Sequence, residues 1–271
     1  MRGRVLIIAG SDSGGGAGIQ ADIKTVSMLD AYAATAITAL TAQNTEGVFG
    51  VLPIPPEFIR RQIEAVLDDI GADVIKTGML HDAAVIETVA AVLRERAAAV
   101  PVVVDPVMVA KGGARLIDPA ALEALKSRLI ARAEVVTPNL PEAEILCGAT
   151  IGNLAEMRAA GEVLLGLGCQ AVLVKGGHLS GETVLDVLVT ERGARVWESP
   201  RIATRHTHGT GCSLASAIAA CLAQGHGVES AVDLARVYVY RAILGAPGLG
   251  HGHGPLDHAH PLHSDRPASN G

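Results

Sequence analysis

One pattern constrains the fold of this chain more than any other. Short apolar, β-branched runs end in polar or glycine turns and give way to longer helical stretches. Val5-Leu6-Ile7-Ile8-Ala9, Val74-Ile75-Lys76-Thr77-Gly78-Met79, Val102-Val103-Val104-Asp105-Pro106-Val107-Met108, Val135-Val136-Thr137-Pro138-Asn139 and Ala171-Val172-Leu173-Val174-Lys175 read as buried strands with their exits. Helices are predicted over 19–29, 56–69, 83–96 and 119–129, and later near 213–224 and 228–244. Strands alternating with helices pair in parallel, because a right-handed helical crossover returns the chain to the same sheet. Ala33–Thr41 and Val48–Pro53 are predicted as further strands, and Thr183–Val189 with Ala194–Trp197 as a hairpin around Arg192-Gly193. The expected fold class is α/β, a central and mostly parallel sheet with helices on both faces. No repeat or linker divides the chain, so a single domain is expected over 1–263, with 264–271 as a disordered tail.

Composition suits this architecture. Apolar residues make up 49% of the 271 residues while aromatics are only 2%, so the core must be built from Ala, Val, Leu and Ile. Helices packed on a buried parallel sheet use that composition. The formal charge is −6 and Lys and Arg are scattered, which with so few aromatics argues against a nucleic-acid surface. Apolar runs stay below the roughly 18 residues needed to span a bilayer. The sequence opens on a strand-like run without a leader pattern, and its four cysteines form no C-x-x-C pair. A soluble protein of the cytoplasm, without membrane partners, is expected.

The chemistry concentrates in two places. Thr207-His208-Gly209-Thr210-Gly211-Cys212 is a glycine turn that feeds a run of small and apolar residues, so Gly209, Thr210 and Gly211 should present backbone N–H groups to an anion at a helix start. A cysteine at a helix N-terminus tends to have a lowered pKa, which makes Cys212 a candidate base; a merely buried cysteine is the alternative. Asp105, Asn139 with Glu142, and Lys175 each fall just past a predicted strand, on the edge where open parallel sheets bind ligands. Two carboxylates, an amide and a lysine beside an anion turn suit Mg²⁺ and phosphate, although one carboxylate there could be a helix cap. Gln43 and Asn44 follow a predicted strand and are candidates for ligand contact. The loop Gly10–Gly18 does not fit G-x-G-x-x-G, and reads as a place where a small ligand lies against the backbone. The segment Gly250–His263 is rich in Gly, Pro and His and reads as solvated rather than metal-binding.

Taken together, Gly10-Ser11-Asp12 through Gln20-Ala21-Asp22, Thr41-Ala42-Gln43-Asn44-Thr45, Lys76-Thr77-Gly78-Met79, Asp105-Pro106-Val107-Met108, Thr137-Pro138-Asn139-Leu140-Pro141-Glu142-Ala143, Lys175-Gly176-Gly177-His178 and Thr207–Cys212 resemble the hydroxymethylpyrimidine/phosphomethylpyrimidine kinases of thiamine biosynthesis, in the ribokinase-like superfamily. The resemblance covers about Val5 to His258. It implies a homodimer that uses ATP and Mg²⁺ to phosphorylate 4-amino-5-hydroxymethyl-2-methylpyrimidine and then its monophosphate. Gln43 would read the aminopyrimidine edge, with Ala17, Val107, Met79 and Asp22 around it. Gly209, Thr210 and Gly211 would form the anion hole and Cys212 would take the hydroxyl proton. Asn139, Asp105, Thr207 and Lys175 would serve ATP and its phosphates, and Glu142 would hold Mg²⁺ directly or through water. Many relatives carry Lys-Asn where this chain has Arg205-His206. A pyridoxal kinase, or a pocket that binds without transfer, are the competing readings.

Overall fold

Along β1 (Arg4–Ala9) successive side chains face opposite ways, as a strand with a two-residue period requires. Leu6 and Ile8 join one apolar core, Val5, Ile7 and Ala9 another. The first core is closed by α2 (Pro56–Asp69), α3 (Ala83–Arg96), α4 (Pro119–Ala124), α5 (Leu140–Cys147) and α6 (Leu154–Leu165). The second lies under α1 (Gly18–Met28), α7 (Thr210–Ala223) and α8 (Val228–Leu244). This computed structural model describes residues 1–108 and 119–263; the expected tail at 264–271 lies outside the described residues.

The sheet has eight strands in the order β10-β9-β8-β7-β6-β5-β1-β2. β2 (Tyr32–Ile37), β1, β5 (Val74–Thr77), β6 (Val102–Val104), β7 (Val135–Val136) and β8 (Ala171–Lys175) run parallel. β9 (Thr183–Thr190) and β10 (Gly193–Pro200) form the expected hairpin and close one edge antiparallel. The expected mostly parallel sheet, with helices on both faces, is what the chain forms.

Two readings change. The run Ala33–Thr41 is not one strand. It breaks at the buried Thr38, whose hydroxyl donates to Met79 O at 2.6 Å. β2 stays in the main sheet, while β3 (Ala39–Gln43) leaves it and pairs antiparallel with β4 (Val48–Pro53). Gln43 therefore sits at the end of a two-stranded ribbon rather than of a sheet strand. Every residue of β4 is exposed, including Phe49 at 70% and Leu52 at 62%. The sequence also left 140–170 without a helix, where α5 and α6 form behind Asn139 and Asn153 as N-caps.

Candidate active site

Gly209 caps α7 in the left-handed region at φ 82°, and a Cβ there would collide with the carbonyl oxygen of Gly16. Only glycine lets the turn and the loop after β1 meet backbone to backbone. The first turn of α7 leaves the N–H groups of Gly211 and Cys212 without intrahelical acceptors, at the positive end of the helix. The N–H of Gly18, at the start of α1, also favours the charged form of Cys212. Two helix starts thus converge on one thiol.

That thiol behaves differently from the expectation. Burial pushes Cys212 up to about 12 rather than below its ordinary value. Lys76 and the Gly18 N–H pull it down, while Asp22 and Asp105 push it up. A helix dipole acts over its first turn and is worth about 1 kcal/mol, too little to offset loss of water around a charge. Asp22, expected to border the pocket, is instead fully buried. It accepts from Lys76 Nζ at 2.8 Å and from Ser216 Oγ at 2.7 Å. Ser216 lies one turn beyond Cys212 on the same face of α7, so this ion pair stands directly under the thiol. Burial raises the Asp22 carboxyl, and the Lys76 ammonium is held above its ordinary value, despite burial, by Asp22, Cys212 and Asp105. A lysine inside an apolar strand was the available signal, since a buried ammonium demands a partner.

On the other side of α7, Lys175 Nζ stands 3.1 Å from where a Cβ at Gly211 would lie. Lys175 donates to Asp105 Oδ1 at 3.2 Å, and Thr137 Oγ1 donates to the same oxygen at 3.3 Å. Asn139 and Glu142 form a capping box on α5. Asn139 Oδ1 accepts from Glu142 N at 3.0 Å, and Glu142 Oε2 from Asn139 N at 2.9 Å. The helix-cap alternative is thus real for this pair, yet Glu142 also turns Oε1 to Met108 N at 3.3 Å and is buried beside Asp105. Burial, with Asp105 nearby, raises the Glu142 carboxyl against the pull of Lys175. Two hard oxygen donors whose charges repel are a fitting set for Mg²⁺, which takes one or two carboxylates and completes its shell with phosphate and water. Among the described residues no cluster of three or more His, Cys, Asp or Glu could hold a metal by itself.

On the acceptor side, Asp12 organises the glycine loop. Its carboxylate accepts from Gly14 N at 2.8 Å, Gly16 N at 3.1 Å and Ala17 N at 2.8 Å. His208 Nε2 lies 2.8 Å from Asp12 Oδ2 and 3.2 Å from the Gln43 amide. Burial would raise Asp12, but His208 and the Ala17 and Gly14 amides together hold it low. Asp12 and His208, to which the sequence analysis gave no role, thus join Gln43, Ala17 and the anion turn. Met79 reaches Gly10 at the root of the loop, and shares one small cavity with Val107. Val107 holds φ at 41°, a strained value for a β-branched residue.

The segment expected to be solvated is docked here instead. His253 N donates to Thr45 O at 2.9 Å, Gly254 N to His206 Nδ1 at 3.2 Å, and His208 N to Gly254 O at 3.2 Å. His258 is buried, 2.8 Å from Ser213 Oγ, and its carbonyl accepts from Tyr238 Oη at 2.9 Å. His206, one of the two departures from Lys-Asn, anchors this segment.

A sheet edge that brings together an anion-binding helix start, a lysine and two carboxylates is arranged for phosphoryl transfer to a small molecule, and the chain is a phosphotransferase of the ribokinase-like class. The family model described as phosphomethylpyrimidine kinase matches residues 12–257. The thiamine biosynthesis bifunctional protein of Geobacter sulfurreducens is 53% identical over 95% of this chain, which spans about half (52%) of that protein's length. The hydroxymethylpyrimidine/phosphomethylpyrimidine kinase of Bacillus subtilis is 47% identical, over 94% of each chain. Among solved structures, an ADP complex of Bacillus subtilis pyridoxal kinase superposes with a TM-score of 0.89 at 39% identity, covering 96% of this chain and 98% of that one. The chain belongs to the phosphomethylpyrimidine kinase family of thiamine biosynthesis.

Proposed function

We propose that this chain, as a single kinase domain over 1–263, transfers the γ-phosphoryl group of ATP to the hydroxymethyl oxygen of 4-amino-5-hydroxymethyl-2-methylpyrimidine, and then to its monophosphate. The observation that carries the reading is that the Gly209–Cys212 turn meets Lys175 at Gly211 and meets Gln43 through the adjoining His208. The substrate oxygen attacks phosphorus, the bond from phosphorus to the bridging oxygen breaks, and ADP leaves. Gly209 and Gly211, with Cys212, stabilise the equatorial oxygens through backbone N–H groups, while Thr210 N–H donates to Thr207 O at 3.4 Å and holds the turn. Lys175 neutralises phosphate charge, with Asn139 and Thr207 on the nucleotide side. Asp105 and Glu142 would hold Mg²⁺, which when bound neutralises charge on the phosphates. Gln43, Ala17, Met79 and Val107 orient the ring. The hydroxyl proton passes to Cys212 as thiolate, and buried Lys76 is the cation that favours that form.

Because burial holds Cys212 up at about 12 in the free chain, its thiolate fraction rises tenfold per pH unit throughout the neutral range. The single-turnover rate should therefore climb with pH from 6 to 9, and a Cys212→Ala variant should lose both rate and slope. A flat profile in the parent would sink the base assignment.

Purified protein with Mg-ATP should release ADP on both pyrimidine compounds, with pyridoxal slow. The resemblance to pyridoxal kinase structures makes pyridoxal the specific competitor, and faster turnover on it would move the function there. The exposed apolar ribbon of β3 and β4, with Leu40, Val48, Phe49, Val51 and Leu52, supports a homodimer closed over that ribbon, which sedimentation velocity tests. Among the described residues no helix is long and apolar enough to cross a membrane. Four cysteines without disulfides support a reducing cytoplasm as the compartment, which cell fractionation tests.

A further inference from the structure

The side-chain amide of Gln43 has two possible senses, and the neighbours decide between them. As placed, Gln43 Nε2 lies 3.2 Å from His208 Nε2 and Oε1 lies 3.4 Å from Thr41 Oγ1, and the hydrogen-bond inventory calls for the reverse. Oxygen and nitrogen of a primary amide fill nearly the same volume, so the hydrogen-bond inventory around them is the arbiter. Asp12 is held as a carboxylate by three backbone N–H groups and can only accept. Its 2.8 Å contact with His208 therefore requires a hydrogen on Nε2, in the neutral ring and in the cation alike. That nitrogen has no lone pair left for an N–H of Gln43. On the far side, Thr41 spends its single hydroxyl hydrogen on Ser11 O at 2.8 Å, and so offers Gln43 only lone pairs.

Both neighbours demand the same sense. We propose that Asp12, His208 and Thr41 are specificity-positioning residues that lock the Gln43 amide with its oxygen toward His208 and its nitrogen toward Thr41. The lock leaves one lone pair on Oε1 and one N–H on Nε2, side by side, for a ligand. A complementary ring edge carries a donor beside an acceptor, which is the pattern of an exocyclic amino group next to an unprotonated ring nitrogen. The 4-oxo analogue, 5-hydroxymethyl-2-methylpyrimidin-4(3H)-one, carries the reverse: an acceptor beside a ring N–H. To bind it the amide would have to rotate, placing N–H against N–H at His208 and lone pair against lone pair at Thr41. Selection of the amino over the oxo compound is thus enforced by residues that need not touch the ring. The inference deepens the aminopyrimidine reading and rests on it for the identity of the ligand, but not for the sense of the amide.

Two measurements test it. In the ligand-free protein, nuclear Overhauser contacts of the Gln43 side-chain NH₂ should reach the Thr41 methyl and miss the His208 ring protons; the opposite pattern overturns the proposal whatever the substrate is. By calorimetry, the parent should bind the 4-amino compound at least about a hundredfold more tightly than the 4-oxo analogue, because a mismatched edge leaves buried polar groups facing like against like. His208→Leu should shrink that ratio at least about tenfold by freeing the amide to rotate. Thr41→Val should shrink it in the same direction and serves if the His208 variant does not fold. An undiminished ratio in a folded variant refutes the lock. Failure of the parent to bind the 4-amino compound, with the expected amide contacts observed, would instead refute the substrate reading.

Discussion

At Cys212 the competition is between desolvation, which favours the thiol, and the buried Lys76 ammonium on β5, which favours the thiolate. Opposite perturbations of that balance should have opposite effects. Lys76→Met should slow alkylation of Cys212 by iodoacetamide about tenfold at a fixed pH near 8, because the cation that favours the thiolate is gone. Asp22→Asn should speed it, since Asp22 raises the thiol and its charge is gone. A packing defect alone would move both variants the same way, and that result would remove Lys76 from the mechanism. Lys76→Met also leaves Asp22 buried without its cation, so the variant should lose about 3–5 kcal/mol of stability on denaturant unfolding. At this scale the sequence displayed residue types well and their environments poorly. Cys212, Lys175 and Asp105 could be found from strand ends and a glycine turn, but the direction of the Cys212 shift is set first by burial and then by Lys76, Asp22 and Asp105, brought in from separate parts of the chain.

The β3–β4 ribbon shows what an element can hide. Its residues read as part of the strand–helix rhythm, yet Thr38 turns the chain out of the sheet by bonding to Met79 O. The consequence is an exposed apolar face centred on Phe49. Phe49→Glu should give a monomer by sedimentation velocity where the parent gives a dimer, because a desolvated carboxylate in an apolar interface costs several kcal/mol. A parent that is itself monomeric at micromolar concentration would remove the proposed interface. The local pattern of Val48–Pro53 could not announce this, since an exposed apolar strand and a buried one share the same composition. By contrast, α3 was legible to the residue, since its apolar spacing and its N-cap Asp82 are local features.

Over the whole molecule, the segment from Gly250 to His263 closes the structure across β3, the anion turn and α8. His258 seals it, and burial pushes that imidazole down to about 4. An imidazole with a depressed pKa contributes stability that is fully present above its unfolded value near 6.5 and is lost as pH falls toward 4. Unfolding free energy should therefore drop by up to about 1.4 kcal/mol per pH unit across that window from this residue. His258→Gln should flatten the slope there; an unchanged slope would assign acid sensitivity elsewhere. The sequence by itself determined the parallel sheet, the two helical layers and the edge on which the chemistry gathers, because strand and helix periodicity and glycine turns are written within a few residues of each other. Only the tertiary structure decided that the C-terminal segment is docked rather than solvated, that Asp22 lies under the thiol and not in the pocket, and that Asp12, His208 and Thr41 surround Gln43. Those outcomes depend on desolvation and on hydrogen-bond partners as far apart as 12 and 208, which are set by distance in space and not along the chain.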